Sequence, residues 1–269
     1  MKQSIKKAFP QWVNDTSERG KYDLCMSDDL DSLLSCYMLN RFFRYKVKYF
    51  YNFEQMYRSN FSTQKEIIYV DIAIEGEGMT WDNHVVSIQK DDKVNPNSAN
   101  LNAINHIHCA NYYTKYCGST LLQIMSYYNI SLPKDRERLL VLLAIDSSYL
   151  GHYDMRYKQV HNQYFINLGF EHLIQFLDSV TKQDFNKVNS KYSLKSKINL
   201  NTNGKLETNI KLEMLSELFG FKLSLPEISF IEKEQFTRGA YYIDSSVTYK
   251  PNVFSFALTA KDRFQYTKK

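Results

Sequence analysis

Residues 22–34, YDLCMSDDLDSLL, decide the fold. The opening run YDLCM (22–26) is short, apolar and suited to a buried strand, and Ser27, Asp28 and Asp29 behind it are side chains that cap helix N-termini. Leu30, Leu33, Leu34, Tyr37 and Met38 then recur at i, i+3, i+4, i+7 and i+8, which predicts an amphipathic helix ending near Phe43. Outward from there, 46–52 (KVKYFYN) reads as a second strand and 66–74 (EIIYVDIAI) as a third, rich in β-branched residues. Strand, helix, strand in that order predicts an α/β fold: a mainly parallel, doubly wound, Rossmann-like sheet flanked by helices.

Gly76 and Gly78 interrupt the pattern, and 81–88 (WDNHVVSI) reads as loop and strand. Residues 89–103 are polar and turn-rich; helices are expected over 119–129, 134–145, around 169–180 and over 206–219, and a strand over 253–258. Residues 181–205 carry six Lys and one Asp, the whole of the chain's net charge of +5. That composition predicts a solvated basic linker, or alternatively a flexible arm that follows phosphates. The expected division is a catalytic-type domain over 1–180, the linker over 181–205, and a small α+β substrate-binding or capping part over 206–269.

With 269 residues and 43% hydrophobic side chains, the chain can bury a proper core, which argues against wholesale disorder. No run approaches the ~18 apolar residues of a spanning helix, so no membrane association is expected. The N-terminal MKQSIKKAFPQWVNDTSERG is basic without an apolar centre, unlike a secretory signal. The four cysteines show no CxxC spacing and are too sparse for a disulfide framework, which points to reduced thiols in a cytoplasmic protein. Nothing in the composition decides between a monomer and a homo-oligomer.

Acidic side chains recur at one structural address. Asp29 and Asp31 follow the first strand, Asp71 lies near the end of the third, Asp82 follows the glycine turn, and Asp146 follows an apolar segment. In an open parallel sheet such positions converge on one crevice. Carboxylates brought together repel unless a divalent cation lies between them, and an oxygen-rich site suits Mg²⁺ or Mn²⁺. Each piece also has a plain structural use: DDLD complements a helix N-terminus, and an Asp after a strand commonly makes a turn.

The ordered set resembles the DHH phosphoesterase superfamily, which includes RecJ-type exonucleases, nanoRNases, cyclic-dinucleotide phosphodiesterases and family II inorganic pyrophosphatases. Its motif of a strand, H-x-x-x-D-x-D and a helix is matched by CMSDDLDSLLS, with Asp29 and Asp31 on the aspartates and Ser32 opening the helix. IIYVDIA supplies Asp71, TWDNHVV places Asp82, Asn83 and His84 on the D-H-H, CGSTLLQIM supplies Ser119 and Thr120, and LLVLLAIDSSYL supplies Asp146 and Ser147. The match spans roughly residues 22–150. The first-motif His falls on Cys25 and the first His of D-H-H on Asn83; the Asp71–Asp82 spacing is short, and no GGGH-type motif follows.

The resemblance implies Asp29, Asp31, Asp71 and Asp146 as carboxylate ligands of two Mn²⁺ or Mg²⁺ ions, one of them weakly held, with Asp71 bridging and Asn83 offering a carbonyl oxygen. It implies His84 facing the substrate phosphate, oriented by Asp82, and able to stabilise negative charge or protonate a leaving oxygen. The implied activity is hydrolysis of a phosphodiester in a short oligonucleotide, a single-strand end or a cyclic nucleotide. The alternative is a degenerate relative that binds a nucleotide or partner protein without hydrolysis. Aromatic content, 21 Tyr and 17 Phe, favours nucleic acid, because bases stack on aromatic rings.

Weaker candidates remain. His106, His108 and Cys109 form a fragment of a zinc-type cluster without a second half. The run Asn95–Asn102 suits either a phosphate-lined cleft or a surface loop, His152 lies after the last motif, and Arg238 and Arg263 are able to grip phosphate.

Overall fold

A computed structural model describes residues 1–61, 63–244 and 252–269. The chain passes through α1 (Gln3–Lys6), β1 (Asp23–Met26), α2 (Leu30–Phe43), β2 (Lys46–Tyr51), β3 (Gln55–Ser59), β4 (Ile67–Val70), β5 (Met79–Trp81) and β6 (Ser98–Ala99). Helices α3 (Leu101–Ile104), α4 (Thr120–Tyr127), α5 (Arg136–Ala144), α6 (Lys158–Leu168), α7 (His172–Asp178) and α8 (Lys182–Tyr192) follow. The hairpin β7 (Ile198–Leu200) and β8 (Leu206–Thr208), helix α9 (Leu212–Phe219), and strands β9 (Phe230–Gln235), β10 (Thr237–Tyr242), β11 (Ser255–Ala260) and β12 (Arg263–Lys268) complete it.

The central sheet runs β6-β5-β4-β1-β2-β3-β9. Neighbours from β6 to β2 are parallel, and β3 and β9 add an antiparallel edge. The α/β class and mainly parallel sheet expected from the sequence are present. Because β1 pairs with β2 on one side and β4 on the other, the winding reverses between β1 and β4. In sheets of this kind the crevice beyond the carboxyl ends at such a reversal is where ligands bind. The carboxyl ends of β1, β4 and β5 all open onto it.

The connection from β4 to β5 explains the short Asp71–Asp82 spacing. Parallel neighbours are usually joined through a helix over a dozen or more residues. Here pairing extends only from Ile68↔Met79 to Val70↔Trp81, so the return covers about 10 Å and residues 71–78 suffice without a helix. Gly78 packs so closely that an added Cβ would lie 2.5 Å from Ile74 Cδ1, and Gly76 turns the chain at φ +86°. Beyond Trp81, the stretch 81–88, read as loop and strand, is mostly loop, held to β11 by the bridge Val85↔Leu258.

Leu24, Met26, Phe50, Ile68 and Val70 face the helical side and join the main core with α2, α4 and α5. The opposite face carries Cys25, Tyr49, Tyr51 and Met56 against Ile72, Ile74 and Phe236, which come from strands and loops. Helices therefore dominate one side, and the three-stranded sheet β10-β12-β11 lies beyond the other, where Phe256 N bonds Ala73 O.

The stretch 181–205, expected as a linker, is instead helix α8 followed by β7. Thr181 and Asp184 form a reciprocal capping box, and Phe185, Val188 and Tyr192 are buried at i, i+3 and i+7. The lysines occupy the remaining faces and concealed that periodicity in a charge count. The region 206–219 begins as a strand and is helical only from Leu212. Residues 230–235, assigned by sequence to the small C-terminal part, form an edge of the central sheet beside β3.

Candidate metal centre

Three hydrogen bonds assemble the floor of the crevice. The Asp29 carboxylate caps α2 by accepting from Ser32 N at 3.3 Å. Ser32 Oγ accepts from Ser27 N at 2.8 Å and donates to Val70 O at 2.7 Å, tying β1, α2 and β4 together. Asp31, in the first turn of α2, is 2% exposed. Its oxygens accept from Thr120 N at 2.7 Å and Leu121 N at 2.8 Å, the free N–H groups at the start of α4. Those unpaired amides carry the positive end of the helix dipole.

Asp71 and Asp146 both adopt left-handed backbone, with φ +60° and +52°. Such conformations cost of order 1 kcal/mol for a non-glycine residue and cluster at functional sites. Asp71 is held by its own N–H to Trp81 O at 2.8 Å, and Thr120 Oγ1 donates to its Oδ1 at 2.8 Å. The outcome is a group in which one carboxylate oxygen from each of Asp31, Asp71 and Asp146 lies within 4.8 Å of the others.

A second group with the same spacing joins Asp71 to Asp82 and His84. Asp82 is fully buried; its Oδ1 meets His84 Nδ1 at 2.7 Å, and its Oδ2 accepts from Asn100 Nδ2 at 2.7 Å. Asn100 also donates to His84 O at 2.7 Å, and Gln123 Nε2 donates to Asp82 O at 3.1 Å. The dyad is thus braced on both sides, and the imidazole keeps about a third of its surface open, 36% of the side chain.

The electrostatics are those of crowded acids. Burial first, then the charges of Asp146 and Asp29, raise Asp31 well above the usual carboxylate range. Burial and then Asp31, Asp29 and Asp146 do the same to Asp71. Asp146 is pushed up by its surroundings and by Asp29, although its side chain lies open to the cleft. Burial alone would depress the His84 imidazole, but the charge and hydrogen bond of Asp82 bring it up to about 9. These carboxylates fit a hard divalent cation, which would replace their mutual repulsion with attraction.

Two expected ligands, Asn83 and Asp29, behave differently, and Cys25 at the first-motif position stays apart. Asn83 does not turn its carbonyl to the carboxylates: its Nδ2 donates to Asp146 Oδ2 at 2.6 Å and to Gly118 O at 3.0 Å. Both neighbours are acceptors, so the amide nitrogen must face them, and Asn83 steadies Asp146 as a donor. Asp29 lines the same cleft but belongs to neither close group, being engaged by Ser32 N and by Lys197 Nζ at 3.4 Å. The Cys25 thiol packs with Tyr49, Tyr51 and Ile72, where burial raises it far from ionisation.

A cleft of about 220 Å³ between the carboxylates and the C-terminal sheet is lined by Asp29, Asp71, Asp146, His84, Lys197 and Arg238. A neighbouring one of about 320 Å³ shares His84 and Asp146 and runs toward Lys115 and Tyr157. Arg238 therefore reaches the crevice; Arg263 instead lies against Tyr242, 5.6 Å from its ring centroid. Asn95, Asn100 and Asn102 are buried and pin backbone, as in Asn102 Nδ2 to Asn83 O at 2.6 Å. His152 is bonded to Asn162 and Asp178 elsewhere, and His108 caps its own loop through Ala110 N. Sequence reasoning missed Lys197 and Gln123. No signal short of the fold links them to the site.

Among the described residues no helix is long and apolar enough to cross a membrane. No family model, no curated protein and no solved structure matches this chain, so the function is argued from the crevice itself.

Proposed function

We propose that the protein is a metal-dependent phosphoesterase of the DHH kind, acting on a phosphodiester in a short oligonucleotide, a single-strand end or a cyclic nucleotide. The observation that carries this reading is the set Asp31, Asp71 and Asp146 within 4.8 Å at the carboxyl edge of a parallel sheet, with the Asp82–His84 dyad against it. Asp31, Asp71 and Asp146 would hold Mn²⁺ or Mg²⁺; a cation there supplies charge neutralisation and acidifies water for attack on phosphorus. The chain's own residues do the rest. Asp82 orients His84 through Nδ1 and keeps the ring protonated near neutral pH, so the imidazolium can offset charge on the phosphoryl oxygens or give a proton to the departing oxygen. Arg238, from the C-terminal sheet, and Lys197, beside Asp28 and Asp29, add positive charge to the cleft.

The test is a hydrolysis screen with Mn²⁺ against pyrophosphate, cyclic dinucleotides and short single-stranded oligomers. The reading expects turnover of a phosphodiester, abolished by chelation and by Asp71→Ala. Turnover that survives simultaneous replacement of Asp31, Asp71 and Asp146 rules it out.

A second reading, a binding protein on the same scaffold, is favoured by Asn83 serving as a donor and by Cys25 being buried away from the carboxylates. It expects nucleotide binding with no turnover of any of these substrates.

A further inference from the structure

The carboxylates of the crevice differ in what they offer a cation. Asp31 and Asp146 close on Asp71; their partners are N–H groups and, for Asp31, the Ser35 hydroxyl at 3.4 Å, and neither forms an ion pair with a basic side chain among the described residues. Asp28 and Asp29 belong to neither close group, and a cation is already beside them. Lys197 Nζ lies 2.8 Å from Asp28 Oδ1 and 3.4 Å from Asp29 Oδ2.

This contact is built into the backbone. Ile198 N donates to Asp28 O at 2.7 Å, which docks the start of β7 on the loop after β1. Thr208 Oγ1 donates to Lys197 O at 2.9 Å, which fixes the lysine from the paired strand β8. The ammonium is thereby delivered into the cleft it shares with Asp71 and Asp146. An ammonium has three donors and a single charge, and it requires no coordination sphere. A second divalent ion at Asp28 and Asp29 would need a close ligand set, and these two with Asp71 form none among the described residues. The Cys25 thiol is packed in an apolar cluster and does not line the cleft. In the remaining group, Asp82 and His84 satisfy each other at 2.7 Å.

We propose that Lys197 is a resident cation of the centre, standing where a second metal ion would neutralise Asp28 and Asp29, so that the chain loads one divalent ion at Asp31, Asp71 and Asp146. This rests on the phosphoesterase reading and refines it: catalysis would run with one exchangeable metal and one fixed ammonium, a positioning and charge-balancing group supplied by the residue that precedes β7.

The experiment measures Mn²⁺ bound per chain by equilibrium dialysis and elemental analysis, with electron paramagnetic resonance to detect spin-coupled ion pairs. Wild type, Lys197→Arg and Lys197→Met are compared, with circular dichroism to check folding. One ion in wild type and Lys197→Arg, and a second ion in Lys197→Met binding at least tenfold tighter than any second ion in wild type, supports the proposal. Two ions in wild type, or one ion in a folded Lys197→Met, overturns it. Two ions together with Mn²⁺-dependent hydrolysis overturns this inference alone; no bound ion and no hydrolysis overturns the phosphoesterase reading with it.

Discussion

Replacing Asp71 by Asn should make the metal-free protein more stable while removing its response to metal. Asp71 stands within 4.8 Å of both Asp31 and Asp146. At an effective dielectric of about 20, two unit charges at that separation repel by about 3 kcal/mol. Proton uptake already relieves part of this, as the raised Asp31 and Asp71 show, so the net gain from a neutral amide is about 1–3 kcal/mol. The substitution keeps the shape, and the Asn carbonyl can still accept from Thr120 Oγ1, 2.8 Å away in the wild type. In the wild type, Mn²⁺ at a hundredfold excess over its dissociation constant adds about 2.7 kcal/mol by mass action. At roughly 2–4 °C per kcal/mol, that is a rise in Tm of about 5–10 °C. Thermal unfolding in EDTA and in Mn²⁺ reads both effects. The expected pattern is a lost response: Asp71→Asn melts above wild type in EDTA and does not shift in saturating Mn²⁺, whereas wild type rises. A wild type indifferent to Mn²⁺, or an Asp71→Asn protein that is destabilised in EDTA and still gains stability from Mn²⁺, refutes the reasoning.

Two further predictions concern the helical side. His161 is 2% exposed with no hydrogen-bond partner for either ring nitrogen, and burial lowers it to about 4. Between that value and the unfolded value of about 6.5 the unfolded chain binds the extra proton, so this group's contribution falls as pH drops through that window and is level below it, by about 3 kcal/mol in all. Urea unfolding of wild type and His161→Phe from pH 4 to 7 should show their stability difference changing by that amount; a constant difference would show that His161 does not titrate with folding. At Gly151, an added Cβ would lie 2.6 Å from His161 Nδ1, so Gly151→Ala should cost about 1–3 kcal/mol and His161→Ala should recover most of it in the double variant. Additive losses in denaturant titrations would exclude the clash as the cause.

Much of the fold was legible because its signals are local. Within residues 22–34 a buried strand, a cap and a 3.6-residue period follow one another, and each supports the next. Helices α4 and α5 share the cap, Ser119 and Asp135, ahead of an apolar run. Helix α8 does not: its buried positions Phe185, Val188 and Tyr192 are separated by Lys, Asn and Ser, and counting charge hides an apolar stripe that periodicity would reveal. The β4–β5 connection was unexpected for a different reason. Its length rules out a helical crossover, but only the brevity of the strand pairing shows that no crossover is needed.

The same division runs through the candidate site. Asp31, Asp71 and Asp82 were found because a residue just past a parallel strand inherits its place from the sheet, whatever its neighbours are. Asn83 and Lys197 were misread or missed because their roles depend on partners distant in sequence. An amide presents either end, and here Gly118 O and Asp146 Oδ2 demand the nitrogen. Lys197 meets Asp28 and Asp29 across separations of 169 and 168 residues, through a strand that composition had assigned to a linker. A basic segment placed by charge alone would be free to follow a phosphate backbone. Once β7 docks on the loop after β1, the lysine just before it is committed to Asp28 and Asp29, and in the proposed centre it would act on substrate only through the charge it adds there.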